Sequence, residues 1–170
     1  MIKSYPLIFV GPEDAKTYRE AAVNEAARRA VEMKVVEDPK RLVVRAVKPS
    51  DLGITTEAWS VTPSGAGWVE LASHTIKSNQ VMAFYGFVAQ NDVITGIKFS
   101  VGTAKVKGEF FFDGADALEN GIVLFSSPIV YEPQSTVKIE VYAKTGDGTT
   151  AYRCPILGVV AEPAGETIGA

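Results

Sequence analysis

Residues 78–92, SNQVMAFYGFVAQND, constrain the fold of this chain more than any other stretch. They form an unbroken apolar run of strand length, rich in β-branched and aromatic residues and flanked by turn formers. Alternation puts Val81, Ala83, Tyr85, Phe87 and Ala89 on one face, and Met82, Phe84, Gly86 and Val88 on the other. A strand with one face in water alternates apolar with polar residues. This one is apolar on both faces and needs cover on both.

One candidate cover lies upstream. Gly11-Pro12-Glu13-Asp14 is a strong helix start, with proline in the first turn and carboxylates at the positive end of the helix dipole. The helix is expected to run to about Lys34. Ala15, Tyr18, Ala22, Ala26, Ala30 and Met33 share one face, widened by Val23, Ala27 and Val31. Small side chains let a helix lie close to a flat surface, so this face suits a sheet. Glu25 with Arg29, and Arg28 with Glu32, fall at pairing distance on the solvent side. Glu13, Asp14, Glu20, Glu25 and Glu32 balance the basic residues, which excludes a basic membrane-binding helix.

After Glu37-Asp38-Pro39 the chain becomes a series of short β-type segments. They are expected at 41–47, 57–62, 67–72, 74–78, 81–90, 93–101, 105–112, 121–131, 135–143 and 151–161. Turn residues separate them at Pro49-Ser50-Asp51, Pro63-Ser64-Gly65, Asn91-Asp92, Asp113-Gly114, Glu132-Pro133 and Gly146-Asp147-Gly148. In VKIEVYA, Val137, Ile139, Val141 and Ala143 face inward. This density of strands predicts a mainly β fold, a single jelly-roll β-sandwich with one N-terminal α-helix packed on it. The 170 residues suit one domain. Residues 1–36 form its strand and helix, 37–163 the sandwich, and 164–170 a tail.

The chemistry-bearing residues are sparse. The single histidine, His74, excludes a histidine-rich metal centre of the cupin kind. It would also have to serve as the base of any Ser-His-Asp triad, and no Gly-x-Ser-x-Gly elbow presents a serine. The single cysteine, Cys154, cannot close an intrachain disulfide and reads as a small core residue. Asp113, Asp116 and Glu119 in FDGADALEN read as a surface loop. Calcium binding by that loop, or a pair of acids for hydrolysis, are the alternatives. The net charge of −3 and the absence of a basic stripe with interleaved aromatics exclude nucleic acid as principal partner. No run approaches bilayer length, and the start is cut by Pro6 and followed by acids, so neither a membrane span nor a secretory signal is expected. The reading is non-enzymatic, without cofactor or metal.

Trp59, Trp68 and Tyr152 are candidate stacking platforms for sugars, which makes a carbohydrate-binding or adhesin β-sandwich one functional reading. Another starts from apolar area. The double-faced segments VMAFYGFVA, GEFFFDG and GIVLFSSPIV exceed what one helix hides, which predicts a homo-oligomer, a homotrimer by analogy with jelly rolls that pack about a threefold.

The strand WSVTPSGAGWVEL, the block TIKSNQVMAFYGFVAQNDVITGIKFSVG and the terminal VVAEPAGETIG together resemble the jelly-roll capsid decoration (cement) proteins of tailed bacteriophages. The resemblance is one of architecture and covers the chain from about Arg41 onward. It implies a virion structural protein, made in the host cytoplasm without a signal peptide, that sits on the major capsid protein and reinforces the shell. A single-jelly-roll major capsid protein is a variant of this reading. The expected oligomer or capsid interface comprises Tyr18, Trp68, Phe84, Tyr85, Phe87 and Phe111.

Overall fold

The computed structural model describes residues 7–9, 12–112 and 121–165. The loop with Asp113, Asp116 and Glu119 lies outside the described residues, as does the tail beyond 165. In chain order the elements are β1 (Leu7–Phe9), α1 (Pro12–Glu32), β2 (Leu42–Ala46), β3 (Ser60–Val61), β4 (Gly67–Thr75) and β5 (Val81–Val88). There follow β6 (Ile94–Val101), β7 (Lys105–Phe111), β8 (Ile122–Tyr131), β9 (Thr136–Ala143), β10 (Tyr152–Arg153) and β11 (Ile156–Pro163). The expected 67–72 and 74–78 segments are one strand, β4. The expected 151–161 strand is two, because Cys154-Pro155 interrupts the ladder and proline has no N–H to give it. Of the expected 57–62 strand only Ser60–Val61 pairs.

The five-stranded sheet has the order β1-β8-β5-β11-β2, and the four-stranded sheet the order β4-β9-β6-β7. A separate ribbon joins β10 to β3. The antiparallel pairs β2–β11, β4–β9, β5–β8 and β6–β7 are nested one inside the next along the chain. A long hairpin folded over on itself gives this nesting, and it is the jelly roll. The sandwich core is filled from the five-stranded side by Met82, Phe84, Phe87, Val123, Phe125, Ile129 and Tyr131, and from the other by Ile97, Phe99, Phe110, Val137, Ile139 and Val141. Tyr131 crosses the core and donates its hydroxyl to the Ser100 carbonyl on β6 at 2.9 Å.

The second face of β5 is covered from within the chain. Ala22, Ala26 and Ala30 of α1 pack on Val81, Ala83, Tyr85, Leu124, Val159 and Ala161, with Tyr18, Val23 and Val44 beside them. The three alanines are fully buried, so the helix backbone sits close against the sheet. At its C-terminal end Lys34 adopts a left-handed φ of 55°, and the Val35 N–H reaches the Ala30 carbonyl at 2.9 Å. This cap turns the chain away and leaves Met33 exposed; Val31, expected to widen the inward face, is exposed as well. Among the described residues, no helix is long and apolar enough to cross a membrane.

Alternation fails once within β5. The ladders to β8 and β11 both shift register around Tyr85, pairing Phe84 with Ile129 and Gly158, and Gly86 with Leu124 and Leu157. Tyr85 is therefore the extra residue of a bulge. Phe87 and Ala89 change faces and join Met82 and Phe84 between the sheets. Gly86 is required there, since a Cβ would stand 2.3 Å from the Val123 carbonyl oxygen.

Candidate functional site

The five-stranded sheet is covered by α1; among the described residues, the outer face of the four-stranded sheet carries no such layer. Its surface is set by register. Trp68 on β4 lies opposite Tyr142 on β9, Tyr142 opposite Gly96 on β6, and Gly96 opposite Phe111 on β7. This is one row across all four strands. The next row is Glu70, Glu140, Lys98 and Glu109, and beyond it Lys138 is paired with Ser100.

The aromatic row is closed into a cluster by its glycine. With no side chain at Gly96, the Phe111 ring lies over the β6 backbone, 3.1 Å from where a Cβ would stand. From there its centroid is 6.1 Å from Tyr142 and 5.8 Å from Trp68, and Trp68 meets Tyr142 edge-on at 5.4 Å. The Lys98 ammonium sits 4.3 Å from the Trp68 centroid and 3.5 Å from the Glu140 carboxylate. Lys138 also reaches Glu140, at 3.9 Å. These two lysines offset the repulsion of Glu70 and Glu140, which stand directly opposite each other. Phe111 is 60% exposed. Burying a phenylalanine is worth about 1.5–3 kcal/mol, so folding alone gives no reason for this placement.

The expected site residues scatter. Phe84 and Phe87 are fully buried between the sheets and have no surface for another chain. Tyr85 is buried beneath α1, and Tyr18 is half-buried against the same layer. Burial raises the Tyr85 phenol above its ordinary value, against a weaker lowering pull from Arg19. Only Trp68 and Phe111 come together. Tyr142, the third member of the cluster, was not anticipated. Its signal was available, because it alternates with the inward Val141 and Ala143 on β9.

Of the other stacking candidates, Trp59 is in the core, where its carbonyl accepts the Cys154 N–H at 2.8 Å. Tyr152 is half-buried on the short ribbon.

Among the described residues, the remaining reactive groups form no catalytic arrangement. Cys154 is buried, and that burial pushes its thiol up to about 12, the reverse of a nucleophile's environment. His74 is exposed on β4. Arg45, Asp51 and Glu162 form a paired charge cluster between β2 and β11. Arg45 holds Asp51 through two nitrogens at 2.7 Å each and Glu162 at 2.8 Å, while Gln80 donates to Glu162 at 2.8 Å. Among the described residues, no group of three His, Cys, Asp or Glu is placed to hold a metal ion.

No family model and no curated protein matches the sequence. Solved structures similar to it include VP2 of infectious bursal disease virus in a subviral particle, at 15% identity and a TM-score of 0.36. That match covers 76% of this chain but only 35% of VP2. The C-terminal CBM6 of LamC, a marine laminarinase from Zobellia galactanivorans, matches at 9% identity and a TM-score of 0.35, over 71% of this chain and 99% of that one. A carbohydrate-binding module from Cellvibrio mixtus lichenase 5A, in complex with cellotriose, matches at 12% and 0.27, over 70% of this chain and 86% of the module. The sandwich thus resembles a virus-particle protein and carbohydrate-binding modules in fold, a coarser likeness than the tailed-bacteriophage decoration proteins expected from sequence.

Proposed function

We propose that this chain is a non-enzymatic binding domain that takes carbohydrate on the outer face of its four-stranded sheet. The observation carrying this reading is the Trp68–Tyr142–Phe111 row, with Phe111 60% exposed, standing beside the Glu70–Glu140–Lys98–Glu109 row on the same face. Sugars present apolar C–H faces that stack on aromatic rings, and hydroxyls that bond to carboxylates and ammonium groups. Both surfaces are offered here side by side, two residues apart along each strand, or about 6.7 Å.

A subunit interface is the less economical reading of the same face. A stable one buries about 800 Å² per partner and depletes charge at its centre. The apolar strip here is one residue deep and bordered by three glutamates. Of the apolar faces that argued for a second copy, those of β5 and β8 are already covered by α1 within the chain, which leaves Phe111 of GEFFFDG as the exposed remainder.

Calorimetry on the whole chain, with oligosaccharides first selected on an array, tests the proposal. Phe111→Ala is expected to weaken the selected glycan at least roughly ten-fold, on the order of 1.4 kcal/mol, with an unchanged unfolding midpoint. Equal affinity in the variant would refute the platform.

The virion reading, a homotrimeric decoration protein or a shell-forming jelly roll contacting the major capsid protein, is the second proposal. It is favoured by Phe111 itself, a ring with no hydrogen-bonding atom projecting from the edge strand β7, as an anchor for a neighbour's pocket does. In that case light scattering would give a trimer that Phe111→Asp dissociates, and no glycan would bind.

A further inference from the structure

The aromatic row is far more compact than its strands require. Trp68 and Phe111 stand on the two outer strands of the four-stranded sheet, three strand spacings apart, or about 14 Å. Rings standing upright on those strands would form a strip as wide as the sheet. Their centroids are instead 5.8 Å apart, and Tyr142 lies within 6.1 Å of both. Gly96 permits the collapse. A Cβ there would stand 3.1 Å from two carbons of the Phe111 ring and 3.0 Å from the Tyr142 Cβ, so any side chain on β6 would push Phe111 back toward its own strand.

The three rings also share no plane. Trp68 and Tyr142 are inclined at 78°, Phe111 and Tyr142 at 67°, and Trp68 and Phe111 at 58°. One face of the Trp68 indole is taken by the Lys98 ammonium at 4.3 Å. Trp68 and Tyr142 are half-buried, and Phe111 is the ring left open. A crystalline polysaccharide presents an extended flat face, and holding it takes coplanar rings spread over several sugar residues. A steeply inclined triangle of this size is about as broad as one pyranose.

A polar group stands beside the triangle. Glu109 lies two residues before Phe111 on β7, about 6.7 Å away along the strand. Lys98 is directly opposite Glu109, but its ammonium goes to Glu140, at 3.5 Å, and to Trp68. The exposed Glu109 carboxylate is within reach of the hydroxyls of a sugar seated on Phe111.

We infer that this face takes one sugar residue at a time, from a soluble saccharide and not from a crystalline polysaccharide surface. Phe111 stacks on the sugar, Trp68 and Tyr142 wall it, and Glu109 accepts from its hydroxyls. The inference rests on the carbohydrate reading above and narrows it. Gly96 becomes a positioning residue for specificity, through the place it gives the Phe111 ring.

The test is calorimetry of the whole chain with cello-, xylo-, laminari- and chito-oligosaccharides, from monosaccharide to hexasaccharide, beside pull-down on microcrystalline cellulose and α-chitin. One series at least is expected to bind, with affinity rising beyond the disaccharide by no more than the statistical factor for additional identical residues. Neither insoluble polysaccharide should retain the chain. Phe111→Ala is expected to weaken the binding series at least ten-fold and Glu109→Gln roughly five-fold, with unchanged urea midpoints. Affinity that climbs with length beyond the statistical factor overturns the single-residue site and leaves the carbohydrate reading standing. So does retention on an insoluble polysaccharide that Phe111→Ala abolishes. Binding to no saccharide in a Phe111-dependent way overturns both.

Discussion

Arg45 pairs with two carboxylates that folding has taken out of water. Glu162 is 2% exposed and Asp51 11%. Removing a shared counter-ion from buried carboxylates is far costlier than never having buried them. Arg45→Met is expected to lower stability by about 3–5 kcal/mol in urea denaturation, and Glu162→Gln added to it to restore part of the loss. Burial pushes the Asp51 carboxyl up, but hydrogen bonds from Arg45 and the Lys48 N–H outweigh it and hold it below the usual carboxylate range. A folded value below the unfolded one contributes stability that is complete above the unfolded pKa and lost as pH falls through the folded one. Wild-type stability should therefore decline below about pH 4, and this part of the decline should vanish in Arg45→Met. Cys154, with its thiol raised to about 12, should resist iodoacetamide in the native state and react only when urea unfolds the chain. Mass spectrometry of the alkylated protein checks it; labelling of folded chain at the free-thiol rate would contradict the burial.

At the scale of elements, the helix and most strands were legible because periodicity is a local signal. The alanine face of α1 and the alternation in β9 translate directly into Ala22, Ala26 and Ala30 on the sheet and Val137, Ile139 and Val141 in the core. The Tyr85 bulge was not legible. Alternation assumes no inserted residue, and the cause of this insertion lies partly in residues 125–128 on another strand. The error displaced Phe87 by one face and inflated the apolar area left to explain. Docking of α1 within the chain has a direct test in Ala26→Glu, which puts a carboxylate at a fully buried contact. It should cost the monomer about 3–5 kcal/mol by thermal or chemical unfolding. A normal midpoint with altered assembly alone would mean that the helix docks on another copy. The aromatic row shows the opposite limit of sequence reading. Trp68 and Phe111 are separated by more than forty residues, and only the register of four strands, with Gly96 between them, brings their rings to 5.8 Å.

For the whole molecule, the jelly roll divides its labour between two sheets. One is closed off by α1, with Tyr85 and the alanines filling the gap; the other keeps its outer face open, with aromatic and charged rows side by side. That asymmetry is the basis for placing function on the four-stranded sheet. The two tryptophans of the chain report the two environments separately, Trp59 from the core and Trp68 from the open face. Trp59→Phe leaves Trp68 as the single emitter, and titrating that variant with the array-selected oligosaccharide tests the central claim most directly. The account predicts a saturable change in Trp68 emission that is lost when Phe111→Ala is added. Emission that stays flat through saturation by calorimetry would contradict it and move the binding surface off this sheet.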